Sequence, residues 1–73
     1  MKKFILLLTL VSLQYNVLEG DTIQSIAEKF CNSNNKIEVA IFREGIREIN
    51  YDIIGNREVT KGITLQINRF EEM

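Results

Sequence analysis

Tyr15-Asn16-Val17-Leu18-Glu19-Gly20-Asp21-Thr22-Ile23-Gln24-Ser25-Ile26-Ala27-Glu28-Lys29-Phe30 is the stretch on which the fold turns. Tyr15 and Val17 flank Asn16 and lead into Leu18, the alternation of a short strand. Gly20 breaks the run. A glycine reaches positive φ without a Cβ clash, so it suits a sharp turn. Asp21 and Thr22 are both favoured helix N-caps. Asp21 with Gln24 has the spacing of a capping box, and a carboxylate there would meet the positive end of the helix dipole. Ile23, Ile26, Ala27 and Phe30 then recur at i, i+3, i+4, i+7, which is one buried face of a short helix.

Working outward, Lys61-Gly62 is a turn signal set just before Ile63-Thr64-Leu65-Gln66-Ile67, whose strict alternation predicts a half-buried strand. Gly55-Asn56 marks a turn in the connector before it. Residues 36–50 fit a helix with Ile37, Ile41, Phe42, Ile46 and Ile49 on one face, capped by Asn34 or Asn35. Ile37, Val39 and Ile41 also alternate as a strand would, with Glu44-Gly45 able to close a hairpin. Gly45 inside a helix costs about 1 kcal/mol against alanine, so a kink or break is expected there. Residues 68–73 are polar and acidic and read as a frayed tail.

The pattern Tyr-x-Val-x-x-Gly-Asp-Thr-Ile-x-x-Ile-Ala-x-x-Phe resembles the opening of a LysM domain, a small module that binds glycans containing N-acetylglucosamine. Ile46, Ile49 and Asn50 resemble the end of that family's second helix and the asparagine after it. Val59 and Gly62 resemble the turn before its last strand, and Ile63, Leu65 and Ile67 the strand itself. The resemblance covers residues 13–68. It departs from the family in a longer middle segment, and in Asn68, which stands where a proline commonly follows the last strand. The resemblance decides residues 36–50 for helix. It implies an α+β, βααβ fold: two antiparallel strands side by side, with two helices packed on one face. It also implies a ligand groove with two walls. Carried onto this chain, the first wall is Gly20, Asp21, Thr22 and Ile23. The second is Asn50, Tyr51, Asp52, Ile53 and Ile54, in an exposed connector.

The chain has 73 residues, enough for one domain. A domain of this size buries only about 60% of its unfolded surface, so its stability is marginal. Cys31 is the sole cysteine, which excludes an intrachain disulfide. It reads as a small, partly buried hydrophobe, with a reactive or intermolecular thiol as the other reading. The net charge of −1 gives no electrostatic case for nucleic acid. The mixed charges of Glu38, Arg43, Glu44, Arg47 and Glu48 read as a solvated helix face.

Residues 1–12 match the basic and apolar regions of a secretory signal peptide: Lys2 and Lys3, then Phe4, Ile5 and a leucine run. The run is too short to span a bilayer, which takes about 20 residues. Its cleavage region is poor, with Ser12 the nearest small residue. Cleavage there would open the mature chain at Leu13 and move the net charge from −1 to −3 by loss of both lysines. The other reading is an extra strand or helix turn packed on the domain.

No catalytic chemistry is legible. With no histidine and one cysteine, a His- or Cys-built metal site lacks its ligands, and the carboxylates show no calcium-loop spacing. Nucleophilic catalysis lacks a base beside Ser, Thr or Cys. Asp21 and Asp52 could in principle form a glycosidase pair, but Asp21 reads as a cap. Expected, therefore, is a non-catalytic module with no cofactor. The LysM resemblance implies peptidoglycan or chitin as its partner, reached by export to the cell wall or outside the cell. The alternative is an assembly module that keeps the fold without the sugar, retains residues 1–12, stays in the cytoplasm and binds a protein partner or a second copy.

Overall fold

A computed structural model describes residues 8–72. In chain order it holds strand β1 (Leu8–Asn16), helix α1 (Ile23–Phe30), helix α2 (Lys36–Ile49), a single turn α3 (Tyr51–Ile54) and strand β2 (Thr64–Glu72). The strands form a two-stranded antiparallel sheet, with Leu8 opposite Glu72 and Asn16 opposite Thr64. This is an α+β arrangement compatible with a βααβ layout.

A lone hairpin of two strands is marginal in water, so the helices must supply the cover. The core joins Val17 and the β2 residues Leu65 and Ile67 to Ile23, Ile26 and Ala27 of α1. Val39 and Ile46 of α2, Ile54 of α3 and Val59 complete it. The expected face of α1 is therefore the buried one. Tyr15 and Phe30 close its end edge to face, with ring centroids 5.3 Å apart. Arg43 ties α2 to α1 by donating from Nη1 to the Gln24 Oε1 at 2.7 Å.

The turn into α1 differs from expectation by one residue. Thr22, not Asp21, is the N-cap: Ser25 N–H donates to Thr22 Oγ1 at 3.0 Å, and Thr22 N–H donates to Ser25 Oγ at 2.9 Å. Asp21 is drawn away because its carboxylate accepts from the Tyr15 hydroxyl at 2.5 Å and from Leu18 N–H at 2.9 Å. Those two bonds hold its pKa below the ordinary 3.8, the Tyr15 hydroxyl contributing most. Gly20 has φ of 87°, as the turn requires.

Residues 36–49 form one helix that runs through Gly45 without a break. Asn35 caps it, accepting from Ile37 and Glu38 N–H. Its buried face is the expected one only in part. Val39 and Ile46 are buried with Phe42 half-buried between them, whereas Ile37 and Ile41 are 71% and 67% exposed. At 3.6 residues per turn, Ile41 stands roughly 200° around the helix from Val39, so the two cannot share a face. Tyr51–Ile54, expected as open connector, is the helical turn α3.

Both strands run further than expected. Residues 68–72, expected as tail, belong to β2, and residues 8–12 pair with them. Long-range contacts hold this end. Arg69 Nη1 donates to Phe30 O at 3.3 Å and pairs with Glu71, and Asn32 Nδ2 donates to Phe70 O at 3.3 Å. Of the expected leader, residues 1–7 lie outside the described residues. Residues 8–12 form strand, with Leu10 exposed and Val11 half-buried.

Candidate functional site

The expected second wall, Asn50 with Tyr51–Ile54, is α3 and its N-cap, and a connector follows it. Two arginines fasten that connector. Arg47 Nη1 donates to Gly55 O at 2.7 Å and Arg57 O at 2.9 Å. Arg57 in turn donates to Ile54 O and Ile53 O. Gly55 ends α3 at positive φ. The backbone of 53–57 is thus pinned by side chains from both ends, which suits a shallow site built on a loop.

Glu58, in that connector, reaches the first wall. Its Oε1 accepts from Ile23 N–H, at the start of α1, at 2.7 Å and from Val59 N–H at 2.9 Å. A carboxylate at a helix N-terminus is favoured by the free N–H groups and the dipole there. A cleft of about 320 Å³ adjoins Glu58, lined by Ile53, Ile54, Arg57, Glu58, Thr60 and Ile63 and by no residue of the first wall. Its volume is at the low end of small-ligand sites. A second cleft of about 220 Å³ lies against the sheet, where Ile53 meets Gln14, Asp52, Thr64 and Gln66. Ile53 lines both.

The nine expected residues divide by burial. Ile23, Asn50 and Ile54 are buried at 4%, 3% and 2% exposure. Ile23 and Ile54 are core. Asn50 serves the sheet: its Nδ2 donates to Ile46 O and Gln66 O, and its Oδ1 accepts from Gln66 N–H at 2.8 Å. Asp21 is half-buried and engaged by Tyr15. Gly20, Thr22, Tyr51, Asp52 and Ile53 are exposed. Arg57, Glu58, Thr60 and Ile63 were not anticipated at this site. Arg57-Glu58 reads in sequence as an ordinary polar connector, and nothing in it signals a bond to Ile23.

Larger clefts lie elsewhere. One of about 470 Å³ between α1 and the start of α2 is lined by Gln24, Glu28, Ser33, Asn34, Lys36 and Val39. Two others, about 450 and 360 Å³, share Ile41, Phe42, Arg69 and Phe70 and are mainly apolar. The first is a solvated seam between polar side chains, and its size alone assigns it no chemistry. Among the described residues, no group of three or more His, Cys, Asp or Glu stands close enough to hold a metal ion. Among them, no helix is long and apolar enough to cross a membrane. Comparison with protein-family models, with curated proteins and with solved structures finds no match for this chain.

Proposed function

We propose that the chain is a non-catalytic carbohydrate-binding module of LysM type, recognising N-acetylglucosamine-containing polysaccharide, peptidoglycan or chitin, at the cleft beside α3. The observation that carries the reading is the Glu58 bridge, which ties the start of α1 to a residue lining a cleft with an apolar floor and a polar rim. N-acetylglucosamine is neutral, with one methyl, an amide and hydroxyls. Ile53 and Ile63 offer a floor for the methyl. The Thr60 hydroxyl and Glu58 Oε2, which takes part in neither backbone bond, can accept from sugar hydroxyls. Tyr51, exposed on the neighbouring turn, can stack on a sugar face. Neither a strong charge nor a cofactor is needed. A single shallow site binds weakly, without the gain of linked repeats.

This reading places the protein in the cell wall or outside the cell. Retention of the full chain on insoluble peptidoglycan or chitin tests it. Ile53→Asp and Tyr51→Ala should each weaken retention while thermal unfolding stays normal. A folded protein that passes through both polymers contradicts the reading.

A second reading, an assembly module without glycan binding, is favoured by one observation. Leu10, Ile41 and Phe70, each more than half exposed, share an apolar cleft between α2 and the end of the sheet. Exposed apolar surface gathered in one place marks interfaces. The mature amino terminus separates the two. A start at Leu13 supports the exported wall binder, and a start at Met1 supports the assembly module.

A further inference from the structure

The two outer edges of the sheet are not alike. Val17 N–H donates to Ile63 O, and Val17 O accepts from Gly62 N–H. With the uninterrupted register from there, the odd residues of β1 bond toward β2 and the even ones turn outward. On β2 the outward residues include Gln66 and Phe70, and both are occupied. The Asn50 amide takes Gln66 N–H and O, as a neighbouring peptide would, and Asn32 takes Phe70 O. On β1 the outward backbone groups of Leu10, Ser12, Gln14 and Asn16 have no partner among the described residues, and all four residues are exposed.

That free edge is also unguarded. Protected edge strands carry charges, proline or bulges. Leu-Thr-Leu-Val-Ser-Leu-Gln-Tyr-Asn has none of these along its 9 residues, and its register with β2 is unbroken. β2, by contrast, carries Arg69, Glu71 and Glu72.

We propose that β1 is a self-association edge: a second copy of this chain adds its β1 antiparallel, about a two-fold axis at Ser12, making a four-stranded sheet. This register pairs every residue of the strand. Ser12 meets its equivalent, and Leu10 exchanges backbone bonds with the second copy's Gln14. Val11 meets the second copy's Leu13 on the face the helices cover, at the close, non-hydrogen-bonded spacing. An uncharged strand places no like charges opposite each other and offers none for a different, charged partner to read. A widened sheet also relieves the marginal stability of two strands. The proposal concerns the chain that keeps residues 8–12.

Light scattering of the full chain over a dilution series tests it, without any sugar present, so its outcome is independent of the glycan reading. The expected result is a doubled mass that falls to a single one on dilution. Slowed amide exchange at Leu10, Ser12, Gln14 and Asn16 should disappear with it. Ser12→Pro removes an outward N–H and no bond to β2. Leu10→Lys with Gln14→Lys sets ammonium groups opposite each other across the axis. Both variants should stay at single mass with unchanged far-UV circular dichroism. A folded wild-type chain at single mass throughout overturns the proposal. So does a doubled mass that survives the paired lysines.

Discussion

Asn50 links α2, α3 and the sheet through one amide group. Its three bonds satisfy Ile46 O and both backbone groups of Gln66. Asn50→Ala leaves both Gln66 groups without partners in a part-buried place, while Ile46 O keeps the Asn50 backbone N–H, and should cost about 2–3 kcal/mol, read from urea unfolding. Asn50→Asp should be no milder, because a carboxylate cannot donate to either carbonyl. Asp21 gives a pH signature. Its folded pKa is depressed, chiefly by the Tyr15 hydroxyl. Its contribution is therefore fully present above the ordinary 3.8 and is lost as the pH falls through the folded value. Asp21→Asn should be less stable than wild type at neutral pH and converge with it in acid. The effect is small, because the group is solvated. The sequence marked both residues but not their roles. Tyr15 reaching Asp21, and Asn50 reaching Gln66, are contacts between segments that no local pattern encodes. Thr22 and Ser25 do have capping-box spacing; two adjacent cap-forming residues left the choice between Asp21 and Thr22 to the Tyr15 contact.

Helix α1 was legible because only one of its faces is apolar. Thr22→Ala should cost about 1 kcal/mol by removing its cap, and Ile26→Ala about 2–5 kcal/mol by opening a cavity at a fully buried site. Helix α2 was legible as a helix of about the right length but not in its orientation. Isoleucines lie on both of its sides, so periodicity alone could not tell that Val39 joins Phe42 and Ile46 inside while Ile37 and Ile41 stay out. The sheet and α1 chose. Gly45 in α2 has ordinary helical φ, and a Cβ built there meets nothing within 4 Å. Gly45→Ala should therefore stabilise the protein by about 0.5–1 kcal/mol, seen as a raised midpoint in urea. A loss of stability there would mean that the helix is not continuous through this turn.

At the scale of the molecule, the strand ends were the least legible part. Residues 8–12 look like the close of a leader and residues 68–72 like a polar tail, and each is strand because the other is. Removing residues 1–12 should leave the core folded and expose the amides of Arg69 and Glu71 to exchange, since these point toward β1. The site shows the same division. Its first wall follows from the turn into α1, which the sequence spells out. The cleft beside α3 is lined by Glu58, which meets Ile23 N–H in a bond across 35 positions. An amide-resolved NMR titration of the full chain with soluble N-acetylglucosamine oligomers tests the glycan reading most directly. The account predicts shifts confined to Ile53, Glu58, Thr60 and Ile63, with the Gly20–Ile23 turn, and lost in Ile53→Asp. Unchanged spectra at millimolar sugar, or shifts gathered instead around Ile41 and Phe70, would contradict it.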